Sequence, residues 1–256
     1  GDLNSAGTKT GRMSSSGPNL QNMPNNHNFP VRAAFIPRPG YVFVNYDYSQ
    51  LELRVMAHVS HDKHFMDIFL HGGDPHGDVA KRCGITRKQA KVMNFGVLYG
   101  MGVGKYVNTF KVSKERARQM IDDYHKVYSG FAKWKESTET FAKRNGYVRT
   151  IFGRIRQLPE ASKDPFHRDD AAYFGALRQA VNTVIQGSGA DIVKKATIAM
   201  CRKFKERNLD AHFLLQVHDE VLIEARIDQM FEVERIVIDC MENTVKLDVP
   251  LLADGK

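Results

Sequence analysis

The chain has 256 residues, of which 42% are hydrophobic, and a formal net charge of +8. This length allows one large domain or two small ones, the hydrophobic content supports a packed core, and the positive charge suits a polyanionic partner. Three scattered cysteines argue against a zinc site or a disulfide framework, and we identify neither a signal peptide nor an apolar run long enough to span a membrane. We therefore expect a reducing compartment and no membrane association.

Residues 1–30 are rich in Gly, Ser, Asn and Pro and have little periodicity, which is typical of a loop or a flexible leader. Basic residues are clustered along the chain. Each cluster is either a polyanion-binding surface or a solvated face, and the last one also fits a helix C-terminus. The clusters are Lys9 and Arg12; Arg144, Arg149, Arg154 and Arg156; and Arg202, Lys203, Lys205 and Arg207.

A strand is predicted over residues 41–46, where β-branched and aromatic residues follow a Pro-Gly turn. A helix is predicted over about residues 50–60, because Ser49 and Glu52 have the spacing of a capping box. Asp47 lies between the two elements and would be held rigidly, as a metal ligand needs to be. For a single aspartate at a strand end, a simple turn role is the alternative.

Two short helices are predicted within residues 61–86, the second over 76–83, and a longer helix over 86–99. In the longer helix two cations and two aromatic residues recur every fourth position and form one stripe, which suits a nucleotide better than a core. The alternative is that the two aromatic residues pack in the core, although glycines beside them favour close approach by another group. The stripe consists of Arg87, Lys91, Phe95 and Tyr99.

The remaining helices are predicted over residues 113–145 (two helices), 169–187, 188–207 and 229–243, with a short strand near 147–152. Residues 100–105 resemble a phosphate-binding loop, but they follow a helix and lack Ser or Thr after Lys105, so we interpret them as a hinge and loop. The Gly187-Ser188-Gly189 run is predicted to end one helix and to cap the next.

Two apolar strands are predicted at residues 212–217 and 221–226, on either side of the polar tip His218-Asp219-Glu220. Adjacent acids repel each other and are an unusual choice for a hairpin turn. They are reasonable if a divalent cation binds there, and Asp47 and Asp219 could share it, since Mg²⁺ favours carboxylate oxygens.

Four segments, in this order, resemble the family A (DNA polymerase I-like) DNA polymerases. Together they make a specific match that no single segment would provide. They are residues 10–15 with 18–22, which resemble the segment before motif A; residues 47–54, motif A; Arg87, Lys91, Phe95, Tyr99 and Gly100, motif B; and residues 216–220, motif C. The span between His76 and Arg87 is several residues shorter than in the family.

The resemblance implies an α+β fold, in which an antiparallel-sheet palm is backed by helices and carries a mainly helical fingers insertion. The palm would comprise residues 1–60 and 169–256, and the fingers residues 61–168 with the motif B helix at 86–99. Thumb and exonuclease domains, which precede this segment in the family, would be absent, so we expect either an excised fragment or part of a longer chain. A monomer in the cytoplasm of a bacterial or phage-infected cell is expected.

The implied function is template-directed addition of deoxynucleoside triphosphates to a primer by two-metal nucleotidyl transfer. Two Mg²⁺ ions, for which Mn²⁺ could substitute, would be bound by Asp47, Asp219 and the Tyr48 carbonyl, with Glu220 assisting. Alternatives are a fragment that only binds primer-template DNA and a metal-dependent nuclease. A single-subunit RNA polymerase shares the layout, but Glu52 argues against it.

The resemblance also assigns roles to the remaining site residues. Arg87, Lys91 and His76 would contact the phosphates, and Lys91 would also protonate the leaving pyrophosphate. Glu52 would block a 2′-hydroxyl, although its capping-box role remains a compatible alternative. Further nucleotide contacts are implied for Phe95, Tyr99 and Gln50, and primer-template contacts for Arg12, Asn19, Gln21, Arg178, Asn182, Gln186 and His218.

Overall fold

A computed structural model describes residues 1–24, 31–164, 166 and 169–255, so residues 25–30 of the predicted leader lie outside the described residues. The strands are β1 (Asp2–Asn4), β2 (Ser14–Ser16), β3 (Tyr41–Tyr48), β4 (Tyr147–Arg149), β5 (Ile155–Gln157), β6 (Ala211–Val217), β7 (Glu220–Arg226) and β8 (Ala253–Gly255). The helices are α1 (Leu51–Ser60), α2 (Lys63–Leu70), α3 (Pro75–Cys83), α4 (Arg87–Leu98), α5 (Val103–Phe110), α6 (Lys114–Val127), α7 (Ser129–Asn145), α8 (Asp170–Glu206) and α9 (Met230–Asn243). The predicted α+β class is confirmed.

The chain forms two compact units. The first contains residues 1–51, 189–246 and 251–256, and the second contains residues 52–188 and 247–250. These limits differ from the predicted palm and fingers boundaries, and the assignment of those two names to parts of the chain stays a prediction.

The first unit is built on a four-stranded antiparallel sheet with the order β6-β7-β3-β8. Along β3 the side chains of Val44, Tyr46 and Tyr48 are buried, while those between them are less so, as expected for a strand with one core face. The Tyr48 hydroxyl donates to the carbonyl of Met241 in α9 over 2.7 Å. Asn45 and Asp47 therefore project from the opposite face of the strand.

The N-terminal segment contains more regular structure than its composition predicts. β1 and β2 pair in antiparallel register, so this part of the chain contains two short strands among its turns. The Gln21 side-chain amide donates to the carbonyl of Met13 over 3.2 Å and to that of Gln216 in β6 over 2.8 Å. Backbone pairing and this side chain give order to a segment without a hydrophobic pattern.

In the second unit, one buried carboxylate joins the starts of two helices. Asp62 is 1% exposed, and its Oδ1 accepts the amides of His64 and Phe65 at the start of α2 over 3.1 and 3.2 Å. Its Oδ2 accepts the amides of Gly130 and Phe131 in α7 over 2.8 and 3.2 Å. These amides have no partner within their own helices, so Asp62 caps both.

Helix α8 corrects the predicted break at residues 187–189, because it continues from Asp170 to Glu206. The Ser188 hydroxyl donates back to the Val184 carbonyl, which satisfies a polar side chain inside a helix. Gly189 allows the Leu51 side chain to pack closely against α8, since a Cβ at this position would lie 3.4 Å from it. The small residues therefore serve packing instead of ending the helix.

The predicted loop at residues 100–105 is confirmed only up to Gly102, because α5 begins at Val103, and the hinge role stays a prediction. Within the residues that the structure describes, no helix has the length and apolar character needed to cross a lipid bilayer.

Candidate functional site

In the first unit, the sheet register brings the acids of the two predicted strand ends together. Asp47 lies directly opposite Glu220 in the β3–β7 pairing, so their side chains share one face of the sheet. The Tyr48 amide donates to the Asp219 carbonyl over 3.3 Å, which fixes the backbone of the turn against the end of β3. The backbone alone therefore brings Asp47, Asp219 and Glu220 to one end of one strand.

The β6–β7 turn is held by side chains on both strands. His218 has a φ of 59°, an uncommon left-handed conformation for a residue other than glycine. The buried Gln216 side chain donates to the His218 carbonyl over 2.8 Å and stabilises this turn. Across the sheet, the Asn45 amide donates to Glu220 Oε1 over 2.8 Å. Gln216 and Asn45 thus position motif C, a role that no sequence pattern indicates for either residue.

A further acid lies beside Asp47 on its other side. In the β3–β8 pairing Asp254 is directly opposite Asp47, so Glu220, Asp47 and Asp254 follow one another across three strands on one face. Asp254 is not among the site residues predicted from the sequence. β8 is only three residues long, too short for an alternating pattern to indicate a strand.

The donor set at this end of β3 fits a hard divalent cation in its chemistry. Carboxylates and a backbone carbonyl are the oxygen ligands that Mg²⁺ prefers, usually with one or two carboxylates from the protein and the rest from phosphates and water. Among the described residues, no three or more His, Cys, Asp or Glu side chains are arranged to hold a metal ion by themselves. The arrangement therefore fits a cation that is completed by substrate more closely than a closed structural site.

In the second unit, the α4 stripe faces outward. This differs from the alternative in which its two aromatic residues pack in the core. Arg87 and Lys91 are exposed, Phe95 is half-buried, and Tyr99 is 39% exposed. The Phe95 and Tyr99 rings are stacked with centroids 6.0 Å apart. The neighbouring glycines do allow close approach, but by protein groups. A Cβ at Gly96 would lie 2.8 Å from the Tyr106 hydroxyl, and one at Gly100 2.5 Å from Arg178 Cγ.

The cationic end of the stripe is paired with the acid that caps α3. Arg87 Nε and Nη2 donate to the Asp74 carboxylate over 2.6 and 3.3 Å. The Arg87 guanidinium holds the pKa of Asp74 below its usual range, with a smaller contribution from the His76 amide that Asp74 caps. A Cβ at Gly77 would lie 2.8 Å from Asp74 Oδ2, so the glycine leaves room for this carboxylate.

The aromatic end of the stripe contacts Glu52, which is 6% exposed. The Tyr99 hydroxyl donates to Glu52 Oε2 over 2.6 Å, and Gln186 Nε2 lies 3.5 Å from Oε1. A capping box would require Glu52 to accept the amide of Ser49, but that amide donates to the carbonyl of Leu252 over 2.9 Å. The predicted bond from the Ser49 amide to the Glu52 carboxylate is therefore wrong. Gln50, with a φ of 55°, directly precedes α1.

His76, the second residue of α3, is 4% exposed and lies beside the stripe, with its ring centroid 6.0 Å from that of Phe95. Burial lowers the pKa of His76, Arg87 and Lys91 lower it further, and Asp74 acts in the opposite direction. The net effect favours the neutral imidazole over the imidazolium.

The residues predicted to contact a primer-template have varied surroundings. Arg12 is half-buried, and Asn19 is exposed and caps a short 3₁₀ turn by accepting the Gln21 amide over 3.0 Å. Gln21 uses its own side-chain amide to bind the backbone of β6. His218 is exposed at the turn. The structure thus gives Asn19 and Gln21 internal contacts that the sequence pattern did not indicate.

On α8 the three predicted DNA contacts lie on a partly exposed stripe of the second unit. Arg178 is exposed and covers Gly100, while Asn182 and Gln186 are half-buried. Two arginines of the second basic cluster make internal bonds to this helix. Arg154 donates to the Gly187 carbonyl over 3.0 Å, and Arg156 donates to Thr183 Oγ1 over 2.8 Å.

The last basic cluster is tied to α9. Lys203 pairs with Asp239 at 2.5 Å and Arg207 with Glu232 at 3.0 Å, as expected for a solvated face.

Comparison with known proteins gives one consistent family. The family model described as DNA polymerase family A matches residues 1–256. DNA polymerase I of Caldicellulosiruptor bescii is 39% identical over 261 residues, which cover 98% of this chain and 30% of that protein. DNA polymerase I of Bacillus subtilis is 38% identical over 264 residues, with the same two coverages.

A solved structure, the POL domain of Pol1 from M. smegmatis in complex with DNA primer-template and dNTP, is similar with a TM-score of 0.93 and 35% identity. The similarity covers 99% of this chain and 46% of that one. The chain spans about 30% of the length of the curated relatives it matches.

Proposed function

This chain belongs to DNA polymerase family A, and on that premise we propose that it catalyses template-directed addition of deoxynucleotides to a primer 3′-hydroxyl. The observation that carries the proposal is the register at the end of β3, where Asp47 faces Glu220 and the Tyr48 amide binds the Asp219 carbonyl. Acids brought together in this way are what a metal-dependent phosphoryl transfer requires.

The Asp47 and Asp219 carboxylates and the Tyr48 carbonyl would hold two Mg²⁺ ions, or Mn²⁺ in their place, with Glu220 assisting. When bound, these ions supply positive charge that activates the attacking hydroxyl and stabilises the polyphosphate. The protein's contribution is a rigid donor set, because the end of β3 is hydrogen-bonded to β7 on one side and to β8 on the other.

The stripe on α4 would bind the incoming nucleotide. Arg87 and Lys91 present exposed cations to the polyphosphate, and Lys91 would donate a proton to the leaving pyrophosphate. Phe95 and Tyr99 offer stacked rings to the sugar and base. Arg87 has to exchange its bond to Asp74 for bonds to phosphate, which its bidentate geometry suits.

Selection against a ribose would come from Glu52. Its carboxylate is buried and tied to the Tyr99 hydroxyl, so it cannot move aside freely to admit a 2′-hydroxyl. Gln50 and His76 would complete the nucleotide contacts. Contacts with the primer-template are proposed for Arg12, Asn19, Gln21, Arg178, Asn182, Gln186 and His218.

Primer extension on a labelled primer-template, with deoxynucleotides or ribonucleotides and with or without Mg²⁺, tests the proposal. We expect extension only with a divalent cation and with strong preference for deoxynucleotides. Shortening of the primer without any addition would instead indicate a nuclease. Binding of primer-template, measured by fluorescence anisotropy, without any extension would indicate a DNA-binding module and would overturn the catalytic proposal.

A further inference from the structure

A buried hydrogen-bond chain in the second unit leads from α6 through α4 to α3. The Tyr124 hydroxyl donates to Asn94 Oδ1 over 2.9 Å, and Asn94 Nδ2 lies 2.9 Å from His76 Nδ1. Tyr124 and Asn94 are each 0% exposed. Asparagine is a poor helix former and is costly to bury, so a polar residue at this position of α4 calls for a specific role.

The surroundings of Asn94 leave its amide one orientation. Asn94 Nδ2 also lies 3.4 Å from the carbonyl of Pro75, and a carbonyl can only accept. The NH₂ group must therefore face Pro75 and His76, while the oxygen faces the Tyr124 hydroxyl. Rotating the amide by half a turn would place its oxygen against the Pro75 oxygen.

This orientation decides which nitrogen of His76 carries the proton. Since the Asn94 amide donates, His76 Nδ1 has to accept, and the single proton of the neutral imidazole lies on Nε2. His76 Nε2 makes no hydrogen bond with the residues that the structure describes, so it remains available as a donor. The opposite tautomer would set two N–H groups against each other.

We propose that Asn94 and Tyr124 are positioning residues that hold His76 in the Nε2–H tautomer, so that it meets the nucleotide polyphosphate as a neutral hydrogen-bond donor. This inference rests on the proposed nucleotide-binding role of His76. A neutral donor complements the fixed charges of Arg87 and Lys91, because it contributes direction to the phosphate contact without adding further charge.

The test uses ¹⁵N-histidine-labelled protein and ¹H–¹⁵N correlation spectra of the imidazole rings, with His76 assigned from its loss in His76→Gln. In the unsubstituted protein we expect an unprotonated Nδ1 and a protonated Nε2. In Tyr124→Phe the Asn94 oxygen loses its partner at 2.9 Å, and only the longer contact of 3.4 Å with the Pro75 carbonyl still orients the amide, so both tautomers should appear. In Asn94→Asp a carboxylate faces Nδ1, and the proton should move there.

Tyr106→Phe is the matched control. Its buried hydroxyl donates to the Met93 carbonyl over 3.3 Å and takes no part in the chain to His76, so the spectrum of His76 should not change. If Asn94→Asp fails to fold, Tyr124→Phe decides by itself. A protonated Nδ1 in the unsubstituted protein, or an unchanged tautomer in a folded Tyr124→Phe, would overturn the inference.

The functional half of the inference is measured separately, as the KM for dATP in primer extension. We expect an increase of about tenfold in Asn94→Asp, the loss of one hydrogen bond to a charged group, with a smaller change in kcat. A shifted tautomer with an unchanged KM would overturn the link to the nucleotide. The spectra need neither DNA nor nucleotide, so they remain decisive even if the protein shows no polymerase activity.

Discussion

The end of β3 and the stripe on α4 present their side chains by different means. At β3, Asp47 is placed by backbone pairing with β7 and β8. At α4, Arg87 is held by the carboxylate of Asp74, the residue before α3, and Tyr99, directly after α4, is held by Glu52. Backbone register survives most side-chain substitutions, whereas a side chain held by another side chain is lost with its partner. Substitutions in the first region should therefore remove chemistry alone, and those in the second should also change geometry.

The largest effect is expected where the acids are replaced. Asp47→Asn and Asp219→Asn keep shape and backbone pairing but remove the charge that a cation needs, so extension should fall by more than about a hundredfold. Thermal unfolding should stay close to that of the unsubstituted protein. Asp228→Asn, at an exposed pair with Arg226, is the control and should extend primers normally. Near-normal extension by Asp47→Asn would refute the metal assignment.

Asp62→Ala tests the dependence of the second unit on a single side chain. Loss of the caps on α2 and α7 should lower the free energy of unfolding by about 2–4 kcal/mol, measured by urea denaturation. Asp67→Ala removes an exposed acid from the same helix and should change stability by less than about 0.5 kcal/mol. Equal effects of the two substitutions would contradict the double capping.

Tyr99→Phe tests whether a side chain held by another side chain sets the preference for deoxyribose over ribose. Without its hydroxyl bond the Glu52 carboxylate is held less firmly, and preference for deoxynucleotides over ribonucleotides should fall by about tenfold, as judged from the ratio of kcat/KM values. Tyr41→Phe removes another tyrosine–carboxylate bond, to Asp210 at the far end of β3, and should leave this ratio unchanged. An unaltered ratio in Tyr99→Phe would argue against a role of the Tyr99–Glu52 bond in excluding ribonucleotides.

The smallest effect is expected at Asp74. Its pKa is lowered in the folded state, so the pair with Arg87 stabilises the protein above the ordinary aspartate pKa of about 3.9 and this contribution is lost as the pH falls through the folded value. Because both partners are exposed and solvent screens the pair, this contribution should be small.

Asp74→Asn keeps an oxygen that can cap His76 and removes only the charge. The difference in urea midpoint between this variant and the unsubstituted protein should therefore shrink between about pH 6 and about pH 3. A difference that is constant over this range would show that the ion pair does not contribute.

Elements with a strong local pattern could be predicted from the sequence. The strand that contains Asp47, the β6–β7 hairpin and helix α4 match their predicted positions to within a few residues. In each, periodicity or a turn agrees with the tertiary structure. β8 could not be predicted, because three residues carry no pattern, and α8 was wrongly divided because Gly and Ser usually end helices.

Partners from separate elements form the part of the candidate site that sequence patterns do not indicate. Asp74 beside Arg87, Glu52 beside Tyr99, and Asn94 beside His76 each join residues that are distant in the chain. Spacing predicts which side chains share a helix face, but only the tertiary structure determines what they meet. The predicted site residues and their roles remain to be tested by the variants above.

The carboxylate of Asp62 also has a kinetic consequence. Its bond to the Gly130 amide closes a loop of 68 residues, within which helices α2 to α6 lie. The ends of such a loop meet only after much chain entropy has been lost, so this bond should form late in folding. We therefore expect the amides of Gly130 and Phe131 to exchange with solvent deuterium only when the whole helical unit opens at once.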